Sequence, residues 1–276
     1  MRARKRFGQH FLEPAWVRKV VTRIAPAPGD LLLEIGPGRG ALTRELVAGG
    51  AGVVAVEVDR DLAAALAADL GPRARIVTGD VLRVDLARIV RELAGSASPG
   101  RPVRVVGNLP YNVTSPIVIR LLEVARETGQ VADAVLMVQH EVAERLAARP
   151  GGGDYGPLAV AVQLWADVER LLTLPPGAFR PPPRVVSALV RLVFRPPRVE
   201  VADAPLFGAL VRAVFSQRRK TLANALRPFA ARRGVSAERV LGAAGIDGRR
   251  RPQTLDLAEL AALARAVATS PTHAVL

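Results

Sequence analysis

At 276 residues, half of them hydrophobic, the chain is long enough for one α/β domain and a smaller second one, at ~100–200 residues per domain, and it can bury a sizeable core. It has no cysteine, which excludes a disulfide framework, a thiolate nucleophile and a Cys-ligated metal, and its three histidines (His10, His140, His273) have no ligand-like spacing, so no metal site is expected. The net charge of +14 points to a polyanionic partner, nucleic acid before membrane; GC-rich codon usage explains arginine in place of lysine, which occurs only at Lys5, Lys19 and Lys220, but not the excess of bases over acids.

The N-terminus is basic and aromatic, Arg4-Lys5-Arg6-Phe7-Gly8-Gln9-His10-Phe11-Leu12. No apolar h-region follows it and no run reaches the ~18–20 residues of a membrane span, so a cytoplasmic protein with no membrane partner is expected. Two phenylalanines and a leucine are wasteful in a solvated tail, so residues 1–23 are expected to fold over something, with Trp16, Val17, Val20, Val21 and Ile24 on one helical face. Leu31 to Ile35 reads as a buried strand, Gly36-Pro37-Gly38-Arg39-Gly40 as a turn, and Ala41 to Ala48 as a helix. Strand, glycine-rich turn and helix form the first unit of a dinucleotide-type fold, with the backbone and the helix N-terminus facing a ligand. Val53 to Glu57 is a second strand and Arg75 to Asp80 a third, with helices over 61–70 and 84–93; each strand ends in an acid. After the loop Gly95-Ser96-Ala97-Ser98-Pro99-Gly100, Val103 to Val106 forms a fourth strand and runs into Gly107-Asn108-Leu109-Pro110-Tyr111-Asn112.

Downstream, a helix is expected over 115–125 with Thr114 or Ser115 as its N-cap, a fifth strand over 134–138 and a helix over 141–148. Gly151 to Gly156 reads as a mobile loop, 159–165 and 185–194 as β segments, and Ala178-Phe179-Arg180-Pro181-Pro182-Pro183 as an extended stretch that keeps Phe179 from collapsing inward. Beyond Arg195-Pro196-Pro197-Arg198 strand character is lost. Helices read over 206–215, 221–226, 237–244 and 257–267, decorated by Arg218-Arg219-Lys220, Arg232-Arg233 and Arg249-Arg250-Arg251. A small helical domain gripping phosphates fits these clusters.

Asn108 and the Pro110 carbonyl supply two acceptors and Tyr111 supplies a ring, the set that holds an exocyclic amine on a planar base. Glu57 stands about 20 residues past the glycine turn, where a ribose diol is bound, and Asp80 can accept from an adenine amine. A nicotinamide enzyme wants Gly-x-Gly-x-x-Gly, whereas the spacing here is Gly36, Gly38, Gly40, with no general need for an acid after the third strand. The acid series followed by Asn-Leu-Pro-Tyr describes S-adenosylmethionine (SAM) bound at the sheet's switch point.

With these motifs in order, the chain resembles the KsgA-type (RsmA) small-subunit ribosomal RNA adenine dimethyltransferases over nearly its whole length. The residues that carry the resemblance are Arg6 to Leu12, Glu34 to Gly40, Glu57, Gly79-Asp80, Asn108 to Tyr111, Phe179 with Pro181-Pro182-Pro183, and Gln217-Arg218-Arg219-Lys220-Thr221. The resemblance implies a Rossmann-like class I SAM-dependent methyltransferase, with a mostly parallel seven-stranded sheet and helices on both faces, plus a small all-α C-terminal domain. The expected division is 1–23 closing over the cofactor site, 24–198 binding SAM and 199–276 binding RNA. The implied reaction is N6,N6-dimethylation of two adjacent adenosines in a hairpin loop of 16S rRNA, in a 30S subunit or its precursor, by a monomer without metal. SAM would be held by His10, Leu12, Gly36, Gly38, Glu57, Asp80 and Asn108; Asn108, Pro110, Tyr111 and Phe179 would do the chemistry; Arg218, Arg219, Lys220, Arg249 and Arg250 would hold RNA. His10 stands where bacterial members usually have asparagine. Alternatives are an Erm-type large-subunit rRNA methyltransferase, a non-catalytic nucleic-acid-binding factor of the same fold, and a nicotinamide oxidoreductase, which the glycine spacing disfavours.

Overall fold

From His10 onward the chain forms a two-residue strand, β1 (Phe11–Leu12), then helix α1 (Pro14–Ile24), which puts Val17, Val20 and Ile24 on one buried stripe. In this computed structural model, which describes residues 10–96 and 100–270, five strands alternate with helices: β2 (Leu31–Ile35), α2 (Ala41–Ala48), β3 (Gly52–Glu57), α3 (Arg60–Leu70), β4 (Ala74–Thr78), α4 (Leu86–Gly95), β5 (Val103–Asn108), α5 (Thr114–Thr128) and β6 (Val131–Gln139). The five strands pair in parallel. β2 is buried at every position, as a parallel strand covered by helices on both faces must be. The chain continues through α6 (His140–Ala147), α7 (Pro157–Trp165), β7 (Ala166–Leu174), β8 (Phe179–Arg180) and β9 (Ser187–Phe194), and ends in α8 (Ala204–Phe215), α9 (Leu222–Ala231), α10 (Ala237–Ala244) and α11 (Leu257–Thr269). Residues 6–9 of the N-terminal motif, 97–99 of the serine-containing loop, and His273 lie outside the described residues.

The seven-stranded sheet runs β4-β3-β2-β5-β6-β9-β7, with β9 antiparallel to β6. Strand order reverses at β2, where β3 goes to one side and β5 to the other, and the crevice beyond their carboxyl ends is where open α/β sheets take ligands. A separate pair forms between β1 and β8, with Phe11 opposite Arg180 and Leu12 opposite Phe179. The seven-stranded sheet and the helical C-terminal part agree with the sequence reading. Among the described residues no helix is long and apolar enough to cross a membrane.

Several local expectations change. Residues 159–165 form helix α7, not a strand. The run is apolar nearly all round, so its period does not discriminate; Gly156 and Pro157 open a helix, and Val160 and Leu164, four apart, enter one core. That core decides the division of the chain. One unit comprises the chain up to Ala143 with Asp167–Arg195, and the other Glu144–Ala166 with the chain from Pro196. This differs from the boundary expected at 198, because α7 buries its apolar residues with Phe207, Leu210 and Leu263. The glycine loop before α7 is pinned within the second unit: Gly151 N–H donates to the Gln253 carbonyl at 2.8 Å, and Arg218 Nη2 to the Gly153 carbonyl at 2.7 Å. The N-cap of α5 is Val113, not Thr114 or Ser115, since the Thr114 hydroxyl turns back to the Pro110 carbonyl.

Candidate active site

β2 ends at Ile35, and three of the next five residues are glycines with left-handed φ: Gly36 at 66°, Gly38 at 58° and Gly40 at 77°. At Gly40 a side chain would be strained by φ and would meet Leu66 Cδ1 at 2.3 Å, so the turn packs tightly on α3. The turn is tied to the next strand. Gly36 N–H donates to the Val56 carbonyl and Gly38 N–H to Glu57 Oε2, both at 2.9 Å. Glu57 Oε1 accepts from Asp59 N–H at 2.9 Å, so backbone donors hold both carboxylate oxygens. Each oxygen keeps a second lone pair for a hydroxyl donor. Burial raises the Glu57 pKa above its usual value, and these backbone bonds oppose the rise.

A cleft of about 640 Å³ opens over this turn. The carboxyl ends of β2, β3 and β5 line it with Gly36, Gly38, Glu57 and Asn108; the loops after β4 and β5 add Asp80, Pro110 and Tyr111; and His10 and Leu12 line it from the N-terminal segment. Asp80 Oδ1 accepts from Leu82 N–H at 3.0 Å. Val58 was not singled out from the sequence, and Glu34 was read only as part of the glycine-turn motif, with no role of its own. Val58 is 42% exposed, a flat apolar patch beside Glu57 whose signal is a valine just past a strand-end acid. Glu34 is 2% exposed, and its signal is an acid inside the otherwise apolar Leu31-Leu32-Leu33-Glu34-Ile35. Burial pushes its carboxyl up to about 7, the nearby Glu57 charge adds to this, and the Thr43 hydroxyl opposes it. Oε2 of Glu34 has no hydrogen-bond partner among the described residues.

Asn108 ends β5. Its Nδ2 donates to the His10 carbonyl at 2.7 Å, which fixes the amide and leaves Oδ1 as an acceptor with no partner among the described residues. Gly107 before it has no room for a side chain, since a Cβ would stand 2.8 Å from the Ile35 carbonyl oxygen. The Tyr111 hydroxyl lies 2.6 Å from Ser187 Oγ, and its ring stacks on the His10 imidazole with centroids 5.5 Å apart. The His10 ring is itself held: Nδ1–H donates to the Pro181 carbonyl at 2.7 Å.

Two expectations about this site are corrected. The Pro110 carbonyl is not an open acceptor; it takes Val113 N–H at 3.2 Å and the Thr114 hydroxyl at 3.1 Å, because α5 starts immediately after it. Phe179 is not a ring facing the cleft. Pairing of β8 with β1 turns it inward, where it is 3% exposed among Leu12, Val17, Val20 and Leu189. Of the five residues expected to contact RNA, three also make bonds within the second unit. Arg218 holds Gly153, Arg249 pairs with Asp247 at 3.1 Å, and Arg250 pairs with Glu259 and donates to the Thr254 carbonyl at 2.9 Å. Arg219 and Lys220 are exposed, and their side chains have no partner among the described residues.

The cleft fits SAM by its own features. Its volume is that of a cofactor site. Fixed acids stand at the end of β3 and beyond β4, exposed Val58 follows the first, and Glu34, which also lines the cleft, has a buried carboxyl oxygen without a partner among the described residues. Comparison with known proteins gives the family. Residues 1–263 match the family described as ribosomal RNA adenine dimethylase. Ribosomal RNA small subunit methyltransferase A of Anaeromyxobacter sp. (strain K) is 46% identical over 268 residues, covering 96% of this chain and 93% of the relative. The protein of the same name from Pseudomonas aeruginosa is 44% identical over 274 residues, covering 98% and 96%. A crystal structure of the 23S rRNA methyltransferase ErmE aligns with TM-score 0.62 at 27% identity, over 94% of this chain and 100% of that one. A dimethyladenosine transferase from Plasmodium falciparum shares the fold, with TM-score 0.72 at 23% identity over 92% and 96%. The chain belongs to the ribosomal RNA adenine dimethylase family, and is an rRNA methyltransferase of that family.

Proposed function

We propose that this chain transfers methyl groups from SAM to the N6 amines of two adjacent adenosines in a 3′-terminal hairpin loop of 16S rRNA. It would act in the cytoplasm as a monomer, on a 30S subunit or its precursor, and would need no metal. The observation that carries the reading is Asn108, whose Oδ1 is left as an acceptor by the Nδ2 bond to His10 at the mouth of a cleft lined by Glu57 and Asp80.

SAM supplies an electrophilic methyl group on a sulfonium. The protein's part is placement. Glu57, oriented by Gly38 and Asp59, receives a ribose diol; Asp80 receives an adenine amine; Val58 gives the ring an apolar seat. Glycines 36 and 38 bring the backbone close, and Leu12 and His10 close the N-terminal side. The target N6 lone pair is delocalised into its ring, so it attacks weakly. A hydrogen bond from N6–H to Asn108 Oδ1 favours a pyramidal nitrogen and aims its lone pair. The Pro110 carbonyl is a shared acceptor, so Asn108 carries most of this work. Such placement and electrostatics supply several kcal/mol of a barrier. Tyr111 offers a stacking face for the extruded base, worth ~1–3 kcal/mol against unstacking. An amine that has taken one methyl group still has a proton to donate to Asn108, so the same acceptor serves the second transfer. Arg219, Lys220 and Arg249 are exposed cations that support RNA binding; Arg218 and Arg250 also hold the shape of the helical unit.

The test is incubation with radiolabelled SAM and unmethylated 30S or 50S subunits, then mapping of modified nucleotides. Dimethyladenosine at adjacent positions in 16S rRNA is expected. Label in 23S rRNA would move the chain to the large-subunit reading, and label in neither would refute methyl transfer to rRNA.

A further inference from the structure

Tyr111 follows β5, yet its hydroxyl reaches Ser187 on β9, and β6 lies between those strands in the sheet. At ~4.8 Å per strand the tyrosine leans across the carboxyl end of β6. Ser187 is 0% exposed and opens β9, opposite Gln139 of β6, so its position is set by the sheet and not by a loop. The Tyr111 ring is half-buried, and one of its faces stacks on His10, at an interplanar angle of 21°. The imidazole is in turn fixed by the Pro181 carbonyl. A tyrosine that only filled a core would bury its ring and let its hydroxyl find water. Here the hydroxyl end is tied to a rigid strand and one face is backed by a second ring.

We propose that Ser187 is a positioning residue for methyl transfer: its buried hydroxyl, with the His10 ring, holds Tyr111 as a fixed platform for the target base. This deepens the rRNA adenine methyltransferase reading and rests on it. A stacking ring on an otherwise mobile side chain loses rotamer freedom each time a base arrives. Tethering it beforehand removes that cost from the reaction and keeps the base in register with Asn108. The two devices act on different parts of the ring, since Ser187 sets its reach and His10 its tilt. Burial also keeps the phenol protonated, so the hydroxyl remains able to donate to Ser187 Oγ.

The experiment is a double-mutant cycle of Ser187→Ala and Tyr111→Phe on unmethylated 30S subunits, with kcat, SAM affinity by calorimetry and melting temperature measured for each variant. Both changes delete one oxygen and keep the ring. The expected result is a fall in kcat of about tenfold in either single variant, within the range that a ~1 Å misplacement produces. The double variant should be no slower than Tyr111→Phe alone, with SAM affinity unchanged throughout. Additive losses, an unaltered kcat in Ser187→Ala, or a loss of SAM affinity that tracks melting temperature would each overturn the positioning role. A wild-type chain that transfers no methyl group would instead sink the parent reading and this one with it.

Discussion

Glu34 offers a test that needs neither RNA nor cofactor. Its carboxyl titrates at about 7 in the folded chain against 4.5 for an unperturbed glutamate, chiefly because the site is dry and secondly because Glu57 stands near. Between those values the folded state holds a proton that the unfolded state has released. The stabilisation this gives is complete below about 4.5 and is lost as pH rises through about 7. At 1.36 kcal/mol per pH unit, the interval from 4.5 to about 7 corresponds to about 3 kcal/mol. Glu34→Gln is nearly isosteric with the protonated acid and cannot ionise, so it does not suffer that loss. It should match wild type at about pH 4 and exceed it by about 3 kcal/mol at about pH 8, a gap of roughly 6–12 °C for a chain of this size. Melting followed by circular dichroism across that pH range reads the gap directly. If wild type and Glu34→Gln melt in parallel at every pH, the buried carboxyl is not the proton-holding group argued here.

Under the proposed function, Asn108→Ala removes the acceptor that would aim the target nitrogen and should abolish detectable methyl transfer, while SAM affinity, measured by calorimetry, falls far less. Gly107→Ala would drive a Cβ against the Ile35 carbonyl oxygen, 2.8 Å away, and should destabilise the protein by about 1–3 kcal/mol in a chemical denaturation curve, by overpacking. Arg219→Ala and Lys220→Ala should each weaken rRNA binding and lower the salt slope of affinity by about 1 without altering melting. Arg250→Ala should do the reverse. It loses Glu259 and the Thr254 carbonyl next to the Asp256 capping box and should destabilise by about 1 kcal/mol, discounted for partial exposure, with little change in salt slope.

What was legible in the sequence was local. Leu31–Ile35, Ala41–Ala48 and Ala237–Ala244 emerge with the limits read from pattern and caps, because apolar runs, glycines and N-cap residues act on their own neighbours. Glu57, Asp80 and Asn108 reach one cleft for a related reason: in a parallel sheet, strand ends converge wherever the order reverses. The misread features depend on partners far along the chain. Phe179 turns inward because residues near position 12 pair with it, and α7 is helical in a core supplied by residues beyond 200. Pro110 is the exception. Its carbonyl is claimed by the next residues along the chain, and the information needed was the start of α5 at Thr114, one residue earlier than expected.

The pairing of Phe11–Leu12 with Phe179–Arg180 has a consequence for how the cleft is made. The glycine turn, Glu57, Asp80 and Asn108 all lie within the first 108 residues, and their strands pair with one another and with β6, all within the first 139 residues. The His10–Leu12 wall, by contrast, has its backbone partner nearly 170 positions downstream. During synthesis at ~5–20 residues per second, the floor of the site can form well before its wall has anything to pair with. A nascent chain stalled before Phe179 would therefore carry the acids and Asn108 in an open trough. Completing the enclosure is tied to translation of β8, so a truncated product would lack the closed cleft even though it contains every acidic side chain that lines it.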